Sequence, residues 1–148
     1  MTKEKKDNSV PSATGMLRLT SDGTQVYDNL PEDSRHYFFD ILLKELSSAV
    51  PVNLSRLNIE RTHLDNSLGV KQHLIFINIE ETKDLSENGV ESIFRIIDIM
   101  INHKDQTPIG TGQVTCYLDE SYGFIHCLYI CVSIFLRIEL GFNLYCIY

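Results

Sequence analysis

Basic residues are scarce and scattered in this chain. Its 148 residues hold 13 Lys and Arg against 20 Asp and Glu, a formal charge of −7. The single basic cluster, Lys3 to Lys6, is interrupted by Glu4. A nucleic-acid backbone selects for clustered cations, so no nucleic-acid partner is expected. Cysteine is absent before Cys116, and the four present, Cys116, Cys127, Cys131 and Cys146, do not pair as zinc ligands do. They read as small apolar side chains, buried or facing lipid. The opening MTKEKKDNSVPSATG has no apolar run of the signal-peptide kind, and Thr2 stands where myristoylation needs Gly. Export by that route is not expected, and disulfides therefore are not either.

Catalytic signatures are missing too. There is no G-x-S-x-G elbow and no H-E-x-x-H pair. His36, His63, His73, His103 and His126 occur singly and read as surface or strand-face histidines. Of these, His73 is the most notable, since it can share a strand face with Ile75 and bond to a neighbouring strand. The G-x-G of PIGTGQ (108–113) lacks the third glycine and the following helix of a nucleotide loop, so it reads as a loop. The carboxylate pairs Glu80-Glu81 and Asp119-Glu120 fall at strand ends and read as solvated. Asn53 to Ser55 is a glycosylation sequon, which carries meaning only in a secreted chain. The expectation is a protein with no catalytic, cofactor-binding or metal-binding residues and with no cofactor.

What the chain does contain is periodicity. Its apolar content of 43% and charged content of 22% are those of a globular domain, and its length allows one core. Residues 1–15 read as a disordered lead. Met16 to Leu19 alternates as a short strand and SDGT as a turn. A helix follows NLPEDS, capped by Asp33 or Ser34, with Phe38, Ile41, Leu42 and Leu46 on one stripe. It should stop before Pro51. Leu57 and Ile59 alternate in a second strand, with Arg56, Asn58 and Glu60 opposite. HLDNSLG connects to a third, where Ile75, Ile77 and Ile79 face one way and Leu74 and Phe76 the other, the pattern of a central strand. A second helix begins at Asp84 or Ser86, where Asp84 and Glu87 fit a capping box. It carries Val90, Ile93, Phe94, Ile97, Met100 and Ile101 on one face. QVTCYL then reads as a last strand, aligning Val114, Cys116 and Leu118.

This order predicts an α+β fold, a ferredoxin-like split β-α-β sandwich with two helices on a mostly antiparallel sheet. Ile93, Phe94, Ile97 and Ile101 are expected to meet Ile75, Ile77, Leu57 and Phe38 in its core. The layout of YFFDILLKELSSAV, VPVNLSRLNIERTHL, LIFINIEE and a further amphipathic helix resembles that of SEA domains. It spans roughly residues 16–118. Such domains are commonly extracellular parts of membrane proteins, and some cleave themselves at a G-S-V-V-V turn between the middle strands. The corresponding NSLGVKQH holds Ser67, Gly69 and Val70 but no Gly-Ser pair, so self-cleavage is not implied.

The domain is expected over residues 16–120, with an apolar tail at 121–148. From Phe124 to Leu136 no residue is charged; Arg137 and Glu139 then interrupt. As a helix, residues 124–148 would reach about 37 Å, enough to cross a bilayer. The apolar residues favour insertion by on the order of −4 to −8 kcal/mol, against about +5 to +7 from the two charges. Three readings of the tail are open: a membrane anchor, an edge strand in which Ile138, Leu140, Phe142 and Leu144 alternate, or noncoding sequence read through. The leading expectation is a non-catalytic structural or protein-interaction module. It would associate with a membrane through residues 124–148, with its domain cytoplasmic and independent of that tail for folding. The alternative is a soluble cytoplasmic regulatory domain that binds a small ligand and forms a homodimer through its sheet.

Overall fold

The computed structural model describes residues 12–127, which form an α+β domain. A four-stranded antiparallel sheet consists of β1 (Ser12–Arg18), β2 (Leu57–Asp65), β3 (Gln72–Glu80) and β4 (Ile125–His126), in the order β2-β3-β1-β4. Three helices accompany it: α1 (Ser21–Asp28), α2 (Arg35–Ala49) and α3 (Val90–Asn102). The expected lead loses residues 12–15 to β1, and residues 1–11 lie outside those described.

Strand alternation divides the side chains between two faces. Register pairs Leu17 with Ile75, Gly15 with Ile77, and Leu57 and Ala13 with Ile79. Ile75, Ile77, Ile79 and Leu17 are fully buried and join Phe38, Leu42, Leu46, Ile93, Phe94, Ile97 and Ile101 in one core. The isoleucine face of β3 and the apolar stripe of α3 thus meet as their periods predict. β3 is central, and β2 is an edge with an irregularity between Ile59 and Arg61. The opposite face carries Met16, Phe76 and Ile125, outside that core cluster. Arg61 lies over the Phe76 ring at 3.8 Å and Arg18 over Tyr122 at 4.5 Å.

Three expected elements need correction. SDGT is not a turn but the first turn of α1. The Thr20 hydroxyl caps it by accepting from Gly23 N–H at 3.1 Å, and a side chain at 23 would run into Tyr117. α3 starts at Val90, not at Asp84 or Ser86. Asp84 instead closes a local turn by accepting from Ser86 N–H (2.9 Å) and Ser86 Oγ (2.7 Å). The carboxylate of Glu81, nine residues upstream, accepts from Val90 N–H (3.3 Å) in place of a capping box. QVTCYL is not a strand. Thr115–Tyr117 is a 3-10 turn, and only Leu118 touches the sheet, in a bridge to Leu19. The fourth strand comes later, in Ile125–His126 beside Gly15 and Met16.

That last point moves the start of the tail. Phe124 is 6% exposed and its ring stacks on Phe94 at 4.6 Å. Its N–H donates to Asp98 Oδ1 (2.9 Å), after Gly123 turns the backbone at φ +69°. Space for the ring exists because residue 15 is glycine; a Cβ there would overlap both Phe124 and Phe94. The first four residues of the expected anchor, 124–127, therefore belong to the domain. Arg137, Glu139, the alternating Ile138 to Leu144 and the rest of 128–148 lie outside the described residues.

Candidate functional site

The connections place polar side chains where the sequence pattern is silent. Arg56, assigned to a solvent face of β2, lies in the 3-10 turn before it and is 6% exposed. Its Nε donates to Glu80 C=O (2.8 Å) and its Nη1 to Glu87 Oε2 (3.0 Å) and Asn88 C=O (2.8 Å). Glu81 Oε1 stands 3.7 Å from Nη2. Arg56 and Glu81 together fix the chain between β3 and α3. Asp119 is not a solvated strand-end acid either. It accepts from Arg18 Nε (2.9 Å) and from Ser121 N–H (3.0 Å) and Oγ (2.6 Å). Burial pushes the Asp119 carboxyl up, but these donors outweigh it and hold the group below its ordinary range.

Residues 103–118 run through successive 3-10 turns and are held by two charged side chains, one of them from α2. Lys104 Nζ donates to the carbonyls of Cys116 (2.9 Å) and Leu118 (2.8 Å). The Glu45 carboxylate, on α2, accepts from the backbone N–H groups of Gln113 (2.6 Å), Val114 (3.0 Å) and Thr115 (2.9 Å). Partial burial raises its pKa, but the three donors win and the carboxyl sits below the usual range. The G-x-G of PIGTGQ falls in this stretch. Gly112 gives it no phosphate loop but room, since a Cβ there would strike Thr115 Oγ1 and the Glu45 carboxylate.

By clasping 113–115, Glu45 builds one wall of a groove of about 320 Å³. Val26 on α1 and Leu30 just after it form one wall, and Ser34, which precedes α2, with Tyr37, Phe38 and Ile41 on α2 forms another. Gln113, Val114 and Tyr117 close the third side. Phe38 and Val114 are buried in its floor, whereas Tyr37 is 61% exposed and Val26 38% exposed at its lips. None of the nine lining side chains is an acid, a histidine, a cysteine or a cation. This chemistry favours apolar contact with a few neutral hydrogen-bonding tips, and not proton transfer near neutral pH.

The other candidates disperse. His73 Nε2 is 2.7 Å from Asp28 Oδ1 on α1, not bonded to a neighbouring strand, and its ring meets Tyr27 edge-on at 4.8 Å. Burial, first, and then Asp28 raise the Tyr27 phenol against an opposing pull from Arg35, so it stays neutral. His126 packs on Phe94 at 4.2 Å, His36 lies against Tyr37 at 3.9 Å, and His63 is on exposed β2. His103 ends α3. Asn53 of the sequon caps a turn by accepting from Ser55 N–H (3.0 Å) and Oγ (2.9 Å). Cys116 is a half-buried thiol and Cys127 a half-buried residue just after β4; Cys131 and Cys146 are beyond the described residues. Among the described residues, no group of three or more His, Cys, Asp or Glu could hold a metal ion.

The groove was invisible in the sequence because its walls join residues 26–41 to 113–117 through a helix and a turn both misread there. The one available signal was Tyr37, an aromatic residue off the apolar stripe of α2. No family model, no curated protein and no solved structure matches the chain.

Proposed function

We propose that the protein is a non-catalytic protein-interaction module on a ferredoxin-like split β-α-β scaffold, tethered to a membrane by its C-terminal segment. The observation that carries the interaction reading is the open groove between α1, α2 and residues 113–117, with exposed Tyr37 at its lip and no acid, base or nucleophile-base pair in its lining. The strand order β2-β3-β1-β4, with helices joining β1 to β2 and β3 to β4, supports the ferredoxin-like assignment. The SEA-type likeness is one of layout within that class; its middle-strand turn here is the β2–β3 hairpin around Gly69.

The tether shortens to residues 128–148, which as a helix would reach about 31 Å, close to the hydrocarbon thickness. Among the described residues no helix is long and apolar enough to cross a membrane. The domain is placed on the cytoplasmic side in this reading. The test compares the full chain with a form ending at Cys127, by fractionation and carbonate extraction. The tethered reading requires the full chain to stay with membranes and the short form to leave them; equal behaviour removes the tether.

A second reading is a soluble regulatory domain paired through its sheet, on the face opposite the core that carries Met16, Phe76 and Ile125, of which Met16 and Phe76 are buried and Ile125 half-buried. Sedimentation of the form ending at Cys127 separates the two: a monomer favours the tethered module, a stable dimer the regulatory domain.

A further inference from the structure

The groove has an apolar floor and an acidic border. Between Thr20 and Glu45 the chain carries six carboxylates, Asp22, Asp28, Glu32, Asp33, Asp40 and Glu45, against two cations, Arg35 and Lys44. Helical spacing sets where they fall. Asp22 precedes Val26 by one turn of α1, and Asp33 and Asp40 lie one turn before and one turn after Tyr37. All three are exposed, and Lys44, exposed one turn after Asp40, sets one cation against them at the far end of the groove. Arg35 is turned onto α1, where its Nη2 donates to Asp28 C=O (3.2 Å) and its guanidinium lies 5.2 Å from the Tyr27 ring. One wall, Gln113 to Tyr117, adds no charge at all.

We infer that this groove takes an amphipathic segment of a protein partner, its apolar stripe seated on Phe38, Ile41 and Val114 and its flanking Lys and Arg residues facing Asp22, Asp33 and Asp40. The inference rests on the interaction-module reading and adds the chemistry of the partner. An anionic lipid surface or a nucleic acid would meet the same carboxylates with repulsion, so neither suits this face. The chain's own segment 128–148 offers one Arg and one Glu, a neutral balance that gains nothing from the acidic border. Exposed Tyr37 supplies the rigid aromatic contact common at such interfaces.

The test uses the full chain and three helical peptides of about fourteen residues, about 21 Å long. They share one Leu and Ile stripe and differ in carrying Lys and Arg, Gln and Ser, or Glu on the remaining face. Fluorescence anisotropy should give the basic peptide the tightest binding, weakening about tenfold between roughly 50 and 300 mM salt as screening sets in. The acidic peptide should not bind. Tyr37→Ala should abolish binding of the basic and the neutral peptide alike. Asp33→Asn with Asp40→Asn should weaken only the basic one, about 3- to 10-fold, with melting temperature unchanged. Equal, Tyr37-dependent binding of the basic and neutral peptides would overturn the partner chemistry and leave the interaction module standing. Binding indifferent to Tyr37→Ala would remove the groove from both. Tyr37-dependent binding to phosphatidylserine vesicles, or self-association lost in Tyr37→Ala, would overturn the inference in favour of a lipid or a second copy.

Discussion

The sheet with α3 and the stretch from His103 to Gly123 are held by different means. In the first, Ile75, Ile77, Ile79, Ile93, Ile97 and Ile101 are fully buried, and repeating apolar positions do the work. In the second, no regular element longer than four residues occurs, and Glu45 and Lys104 hold the backbone through its own N–H and C=O groups. Apolar burial is nondirectional and tolerates repacking; a charge clasping a turn depends on a few donors and acceptors in fixed places. The first region is therefore specified by pattern, the second by single residues.

Substitutions can test that contrast. Arg56→Ala should be the most damaging, about 3–5 kcal/mol, because it strands Glu87 and the carbonyls of Glu80 and Asn88 in a partly buried site. Chemical denaturation would measure it; a loss below about 1 kcal/mol would mean the connection between β3 and α3 stands without its arginine. Ile97→Ala, in the apolar region, should cost about 2–5 kcal/mol as a cavity, while Ile97→Val should cost only about 0.5–1.5. Similar losses for the two variants would show that the site is not tightly packed.

Glu45→Gln comes next, at about 1–3 kcal/mol, since an amide cannot accept from three N–H groups as a carboxylate does. Acid should reproduce part of this loss. Glu45 and Asp119 both titrate lower in the folded chain than unfolded, so their charge stabilises the fold above the unfolded values, near 4. That stabilisation drains away as pH falls through the folded values. Melting temperature should drop below about pH 4, and Glu45→Gln should flatten the drop; an unchanged profile would remove Glu45 from the account. The smallest effect is that of Thr20→Ala, about 1 kcal/mol from loss of the α1 cap. Amide exchange confined to α1 would register it.

Much of the domain was legible where period decided structure. The α2 stripe at Phe38, Leu42 and Leu46, the stop before Pro51, the central place of β3 and the buried face of α3 all follow from spacing. What escaped depends on partners far along the chain. SDGT carries a turn signature, and it is Thr20 and the fit of Gly23 against Tyr117 that make it helical. QVTCYL alternates like a strand, yet Glu45 has taken the N–H groups of Gln113 to Thr115 that a strand would have used. Phe124 looked like the first residue of an apolar run, and only the missing side chain at Gly15 shows that its ring has a seat. The groove inherits these misreadings, since α1 and residues 113–117 line it.

The position of β1 bears on how the molecule reaches this state. The strand made first during synthesis pairs with the two made last, Ser12 with Glu80 and Met16 with Ile125. Neither neighbour is local, so closure of both loops must precede any gain from pairing. Folding should be slow for a chain of this size, and helices α2 and α3 should form before the sheet does. Until residue 125 arrives, β1 keeps one bare edge and Phe94 lacks the ring that stacks on it, which makes the nascent domain most vulnerable to aggregation just before it is complete.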